Sequence, residues 1–346
     1  MNFQRILLTL ISKLPGGLLV KISGGKPLTV AGRTLDPMLQ FIRSQAMKQP
    51  PMSSFTPEQA RVGMDTGLAA TQPRPRQMET IEDVSIPGPG GAIPCRLLTP
   101  HGAKEPSVLI MYFHQGGCVI GNKESCEPFC TILANETKAR VLTVGYRLAP
   151  EHPFPAAAED ALAAYVEAVA HADEWSIDPK RIIVAGDSAG AGLSTVISQS
   201  MRGQEFPQPF AQVLIYPWVE ALADTESYRE HEFGYPLDKA TMEWFGSHYL
   251  TNESDQEDFR VSPMRNPDLK KLPRTLVYTA GFDPLRDEGA QYAEAMKAAG
   301  VNVDYQCFDH LTHSFTALGG AVPAALEACE QIGEDLRAVL SESRTD

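Results

Sequence analysis

Apolar and polar positions alternate in three different ways along the chain. Near the start, Phe3, Ile6, Leu7, Leu10, Ile11 and Leu14 recur at helical spacing, while Arg5, Thr9, Ser12 and Lys13 turn away. This spacing predicts an amphipathic helix, stopped by Pro15-Gly16-Gly17. A second helix is predicted from Asp36 to about Met47, with Met38, Leu39 and Ile42 as its apolar stripe. The stretch from Gln49 to Gln77 is rich in Pro, Ser, Thr and Arg and reads as a connector, with one helix starting at Thr56. Strand-like segments then flank Pro87-Gly88-Pro89-Gly90-Gly91, which predicts an antiparallel pair, Thr80–Ile86 with Ala92–Leu98.

Beyond residue 100 the pattern becomes short apolar runs separated by helical segments. The runs are Val108–Phe113, Val141–Tyr146, Ile182–Ala185, Gln212–Tyr216, Leu276–Ala280 and Val303–Phe308. Helices are expected at Cys126–Thr137, Pro155–Val169, Ala191–Met201 and Glu288–Ala299. Continuous apolar strands alternating with helices imply an α/β fold, a mostly parallel central sheet with helices on both faces. Between Tyr216 and Leu276 no strand is legible. That segment is acidic and aromatic (Tyr228, Phe233, Tyr235, Trp244, Phe245, Tyr249), and it has the length of a lid over a site.

Composition narrows the picture only in places. At 43% hydrophobic and 21% charged residues, collagen-like, coiled-coil and wholly disordered chains are excluded. The net charge of -13 argues against a nucleic-acid partner. The charge is uneven: residues 1–50 hold seven basic and one acidic residue (+6), and the remainder 23 basic and 42 acidic (-19). Six cysteines (Cys95, Cys118, Cys126, Cys130, Cys307, Cys329) lack zinc-site spacing and read as reduced thiols of a cytoplasmic protein. The run Ile6–Ile11 is broken by Ser12 and Lys13 with no small-residue cleavage site close by, which argues against a signal peptide. No run approaches the roughly 20 apolar residues of a spanning helix, and a soluble protein is expected.

The sharpest chemical signal is Gly186-Asp187-Ser188-Ala189-Gly190, between a strand and a helix. A strand–turn–helix elbow holds a serine in a strained conformation over the sheet edge, at the positive end of the helix dipole. The plainer reading, a helix N-cap serine, lacks any use for the flanking glycines. A serine hydroxyl needs a base and an orienting acid, which follow in this fold order as Asp or Glu and then His. Asp283 stands directly after the strand ending at Ala280, whereas Asp287 and Glu288 read as the opening of the next helix. His310 and His313 compete for the base; His313, farther into the loop and near Phe315, is favoured. Phe113-His114-Gln115-Gly116-Gly117 ends another strand, where glycines let backbone N–H groups face a developing oxyanion.

These motifs, in this order, resemble those of the hormone-sensitive lipase-like family, the bacterial family IV esterases of the α/β-hydrolase fold. The resemblance runs from about Thr80 to Phe315 and includes Tyr112–Gly117, Gly145-Tyr146-Arg147-Leu148-Ala149-Pro150-Glu151-His152-Pro153, Gly186–Gly190 and Asp283-Pro284-Leu285-Arg286-Asp287-Glu288-Gly289. It implies a carboxylic ester hydrolase with Ser188 as nucleophile, Asp283 as acid and His313 as base. Oxyanion donors would be the N–H groups of Gly116, Gly117 and Ala189. It further implies a helical cap from residues 1–55 and 217–265 over a core of 56–216 and 266–346. Two departures stand out: Gln115 replaces the first glycine of the usual His-Gly-Gly-Gly, and Ser314 the glycine of His-Gly-Phe. In the Tyr146–Glu151 motif, the arginine and carboxylate are expected to brace the oxyanion loop.

The chemistry expected is two-step acyl transfer on short-chain small-molecule esters, with no metal or organic cofactor. Alternatives are amide or carbamate hydrolysis with the same residues, or a non-catalytic ligand-binding relative. Cys118 is expected to pack rather than react. The basic N-terminal helix admits docking on an anionic membrane, but the favoured reading lays its apolar face on the core, with the basic segment resting on an acidic body. A homodimer is compatible with the family, although no dimer surface is legible.

Overall fold

The computed structural model describes residues 3–232 and 234–342, so Phe233 and the outermost residues of the first and last expected segments lie outside it. Eight strands form one sheet: β1 (Thr80–Gly88), β2 (Gly91–Thr99), β3 (Ser107–Phe113), β4 (Arg140–Val144), β5 (Ile177–Asp187), β6 (Ala211–Ile215), β7 (Arg274–Phe282) and β8 (Val303–Thr312). Their order is β1-β2-β4-β3-β5-β6-β7-β8. The β1–β2 and β2–β4 pairs are antiparallel and the remaining pairs parallel. Every expected run falls within or overlaps one of these strands, although β5 begins at Ile177, ahead of its apolar run.

Strand periodicity divides the core between two faces. Ile110, Tyr112, Ile183 and Val213 face α5 (Glu127–Thr137) and α11 (Pro323–Glu342). Leu109, Met111, Phe113, Ile182 and Val184 face α6 (Ala156–Ala170) and α7 (Ala189–Met201), and α10 (Arg286–Ala298) covers Leu214 and Val277. The α11 helix has no counterpart among the expected elements.

The N-terminal segment departs most from expectation. Helix α1 (Phe3–Ile11) ends before Pro15 as predicted, but Gly16-Gly17 opens a further helix, α2 (Gly16–Ile22), rather than a loop. Pro15 stands just ahead of it, where a missing N–H costs nothing. The expected burial of the α1 apolar stripe does not occur: none of its residues is buried. Only Leu8 and Ile11 lean on the core, because α1 lies at the margin with α4 (Pro57–Thr71) as its helical neighbour. By contrast α3 (Pro37–Ala46) buries Met38, Leu39 and Ile42 and is capped by Asp36, whose carboxylate accepts the Met38 and Leu39 N–H groups. Thr56 caps α4 in a reciprocal pair with Gln59.

Between β6 and β7 the insertion forms α8 (Glu226–Glu230), α9 (Lys239–Tyr249) and short 3-10 turns. It meets the N-terminal segment where the Trp244 indole N–H donates to the Phe55 carbonyl at 3.2 Å.

Candidate active site

Ser188 follows the last residue of β5 and precedes α7 with φ 55 and ψ -121, a backbone region that L-residues avoid. Its carbonyl holds the elbow together by accepting N–H groups of Ala191, Gly192 and Trp218. The elbow closes only because Gly190 has no side chain. A Cβ there would stand 1.9 Å from the Phe113 carbonyl oxygen at the end of β3.

Asp283 and His313 arrive from the ends of β7 and β8, one residue beyond each strand. Asp283 is fully buried; one oxygen accepts the Leu285 N–H at 2.9 Å and the other lies 2.7 Å from His313 Nδ1. With Nδ1–H donating to that carboxylate, His313 Nε2 is left as an acceptor 3.1 Å from Ser188 Oγ. The imidazole also rests against the Tyr216 ring at 4.6 Å. His310, the competing histidine, is exposed on β8, and its carbonyl receives the Asp36 N–H. Of the two histidines, only His313 bridges serine and aspartate.

The loop after β3 turns on Gly116 (φ 126) and Gly117 (φ 59). Among the described residues, no acceptor takes the N–H groups of Gly116, Gly117 or Ala189. The Phe245 ring of α9 lies directly on Gly117. His114 is kept neutral by burial, its pKa pushed down to about 4, and its ring stacks on Tyr146, whose hydroxyl donates to the His114 carbonyl at 2.7 Å. The two departures from the family pattern meet each other: the Ser314 hydroxyl, with Ser314 at φ 60, donates to the Gln115 side-chain carbonyl. Loops 199 positions apart are thereby clasped beside His313.

Sequence reasoning missed the supports of this site. Asp187, buried, takes hydrogen bonds from Tyr216 and Thr316 at 2.9 Å each, and burial raises its pKa. It thereby ties the elbow to Tyr216, whose ring rests on His313, and to the turn just after His313. Glu288 is not a simple dipole partner: fully buried, it accepts the Val219 N–H at 2.8 Å and holds the chain just past Trp218. Its desolvation raises its pKa well above the ordinary carboxylate value.

The expected brace in the Tyr146–Glu151 motif divides in two. Glu151 forms a two-pronged pair with Arg61 of α4, which also donates to the Val119 and Ala149 carbonyls next to the Gly116-Gly117 loop. Arg147 turns instead to Asp160 in α6, so the arginine supports that helix rather than the loop. A charged group on α4 carries no local signal of such a partner. Cys118 is buried and its thiol is pushed up to about 12, which leaves it packed and protonated.

A cleft of about 580 Å³ lies within the insertion, lined by its own Trp218, Leu222, Tyr228, Met242 and Leu250. Its volume suits a small ligand. Trp218 links it to the elbow through the Ser188 carbonyl at 3.2 Å.

A family profile described as the alpha/beta hydrolase fold matches residues 110–317. The chain is 37% identical to the carboxylic ester hydrolase LipN of Mycobacterium tuberculosis, across 92% of this chain and 87% of that protein. It is 33% identical to an ethyl acetate hydrolase of Pseudomonas putida, across 86% of this chain and 96% of the relative. The solved esterase of Pyrobaculum calidifontis superposes with a TM-score of 0.81 at 33% identity, across 88% of this chain and 99% of that one. With its fold, motif order and relatives in agreement, the chain belongs to the α/β-hydrolase family and, within it, to the hormone-sensitive lipase-like family IV esterases.

Proposed function

We propose that the chain is a serine carboxylesterase that hydrolyses short-chain esters through an acyl-enzyme. The observation that carries this reading is the His313 bridge, 3.1 Å to Ser188 and 2.7 Å to Asp283, in a buried setting. His313 takes the Ser188 proton as the oxygen attacks the ester carbonyl, and Asp283 holds the tautomer and stabilises the imidazolium. The N–H groups of Gly116, Gly117 and Ala189 receive the oxyanion, each contributing about 3 kcal/mol to lowering the barrier. Protonated by His313, the alcohol leaves; water then attacks the acyl-serine with the same base. Relatives described as hydrolases of carboxylic esters and ethyl acetate support the substrate class.

Residues 1–55 and 217–265 act as a shared lid in this reading, supported by the Trp244–Phe55 bond and by Phe245 resting on Gly117. A side chain so close to the oxyanion loop limits room for the acyl chain, which favours short esters. A cytoplasmic location fits six free cysteines.

Steady-state hydrolysis of p-nitrophenyl acetate, butyrate and palmitate tests the proposal. Ser188→Ala and His313→Asn should each lower kcat/KM by about 10⁴-fold or more, His310→Asn should leave it unchanged, and palmitate should be the poorest substrate. Full activity in Ser188→Ala, or loss in His310→Asn with retention in His313→Asn, would refute it. Cleavage of matched anilides at rates equal to the esters would instead favour an amidase.

A further inference from the structure

The N-terminal helices present apolar side chains that none of the described residues covers. On α1, Phe3, Leu7 and Leu10 are 76%, 46% and 58% exposed, and Leu14 continues the same row beyond the helix end. On α2, Leu18 and Ile22, one turn apart, are likewise exposed. Seven of the thirteen large apolar residues exposed among the described residues fall between positions 3 and 22. Scattered apolar side chains are ordinary on a protein surface, whereas so many gathered on two neighbouring helices of one short stretch call for a partner.

Charge identifies that partner. The first 35 residues carry five basic side chains and no carboxylate (+5), and the rest of the chain 25 basic and 43 acidic residues (-18). Lys13, Lys21 and Lys26 are exposed beside the apolar row, and among the described residues none of them is in an ion pair. We propose that α1 and α2 dock the enzyme on an anionic phospholipid bilayer, with the apolar row entering the acyl boundary and the lysines at the headgroups. Helices with this division lie in the interface plane, and long lysine side chains reach outward to the phosphates. A second copy of the chain fits poorly, because a two-fold contact through this face sets the same cations against one another. The acidic body also acts as an orienting device: an anionic surface repels it and accepts only the N-terminal face. Docking would bring the hydrolase to esters dissolved in lipid, but the binding itself depends on no step of the reaction.

Co-sedimentation of the full chain with vesicles of equimolar phosphatidylcholine and phosphatidylglycerol, against phosphatidylcholine alone, tests this directly. Binding is expected to the mixed vesicles only and to fall as salt is raised. Replacing Lys13, Lys21 and Lys26 together by Glu should weaken it on the order of 100-fold, and Leu7→Ser or Leu10→Ser about tenfold each. All three variants should keep the wild-type thermal-unfolding midpoint, and Ser188→Ala should bind the mixed vesicles as the parent does, which separates docking from folding and from the esterase reading. The proposal is overturned by absence of binding to the mixed vesicles, or by binding that none of these substitutions weakens. A light-scattering mass that drops from dimer to monomer in Leu10→Ser, with no vesicle binding by the parent chain, would assign the face to a second copy.

Discussion

Two apolar-rich regions of the molecule end in opposite environments. In β3 and β5, Ile110, Met111, Ile183 and Val184 are wholly buried, because helices cover both faces of the sheet. In α1, Phe3 and Leu10 are more than half exposed, although their helical spacing is as regular as any in the chain. Periodicity therefore identifies an element and its apolar face, while what meets that face depends on the element's place in the layers. From α4, the helix beside α1, Arg61 reaches to Val119, Ala149 and Glu151 next to the Gly116-Gly117 loop.

Substitutions can sharpen or break that contrast. The largest effect on stability is expected for Ile183→Ala, which should cost about 2–5 kcal/mol in urea unfolding through lost contacts and a cavity. A smaller effect belongs to the clasp beside His313. Gln115→Gly and Ser314→Gly should each lower kcat several-fold, and the double variant should be less than additive, with a coupling of about 1 kcal/mol; strict additivity would show that the two side chains act separately.

Acid tests the Arg61–Glu151 pair. The Arg61 guanidinium holds the Glu151 carboxyl down to about 2 from its ordinary value of 4.5. A depressed folded-state pKa contributes stability that is present above 4.5 and lost as pH falls towards 2. Glu151→Gln should therefore flatten part of the acid limb in a pH series of thermal unfolding, by a small amount because the pair is solvent-screened. Smallest of all, Leu10→Ser should leave unfolding free energy within about 0.5 kcal/mol of the parent. A cost near that of Ile183→Ala would mean that α1 is packed and would erase the contrast.

The strands, the elbow and the ends of β7 and β8 were legible because each is written in a short local pattern. Apolar runs mark strands, Gly186–Gly190 marks the turn, and Asp283 and His313 each stand just past a strand. His313 was already favoured over His310 by its place farther into the loop, and the structure adds the physical difference: the end of β8 separates an exposed His310 from a buried His313. What was not legible depends on distant partners. The Asp187 contact with Thr316 spans 129 positions, the Arg61–Glu151 pair 90, and the Glu288–Val219 bond 69. Gln115 and Ser314 were each visible as unusual residues, yet their pairing across 199 positions was not. Gly16-Gly17 misled because glycine most often ends helices, whereas here Pro15 starts one.

The central claim is that Ser188 is the nucleophile, and covalent labelling tests it most directly. Treated with a fluorophosphonate, the protein should gain one adduct by intact mass, located by peptide mapping to Ser188, with ester hydrolysis lost in step. Ser188→Ala should take up no label. An adduct on any other residue accompanied by loss of activity, or full hydrolysis by an unlabelled Ser188→Ala protein, would contradict the account.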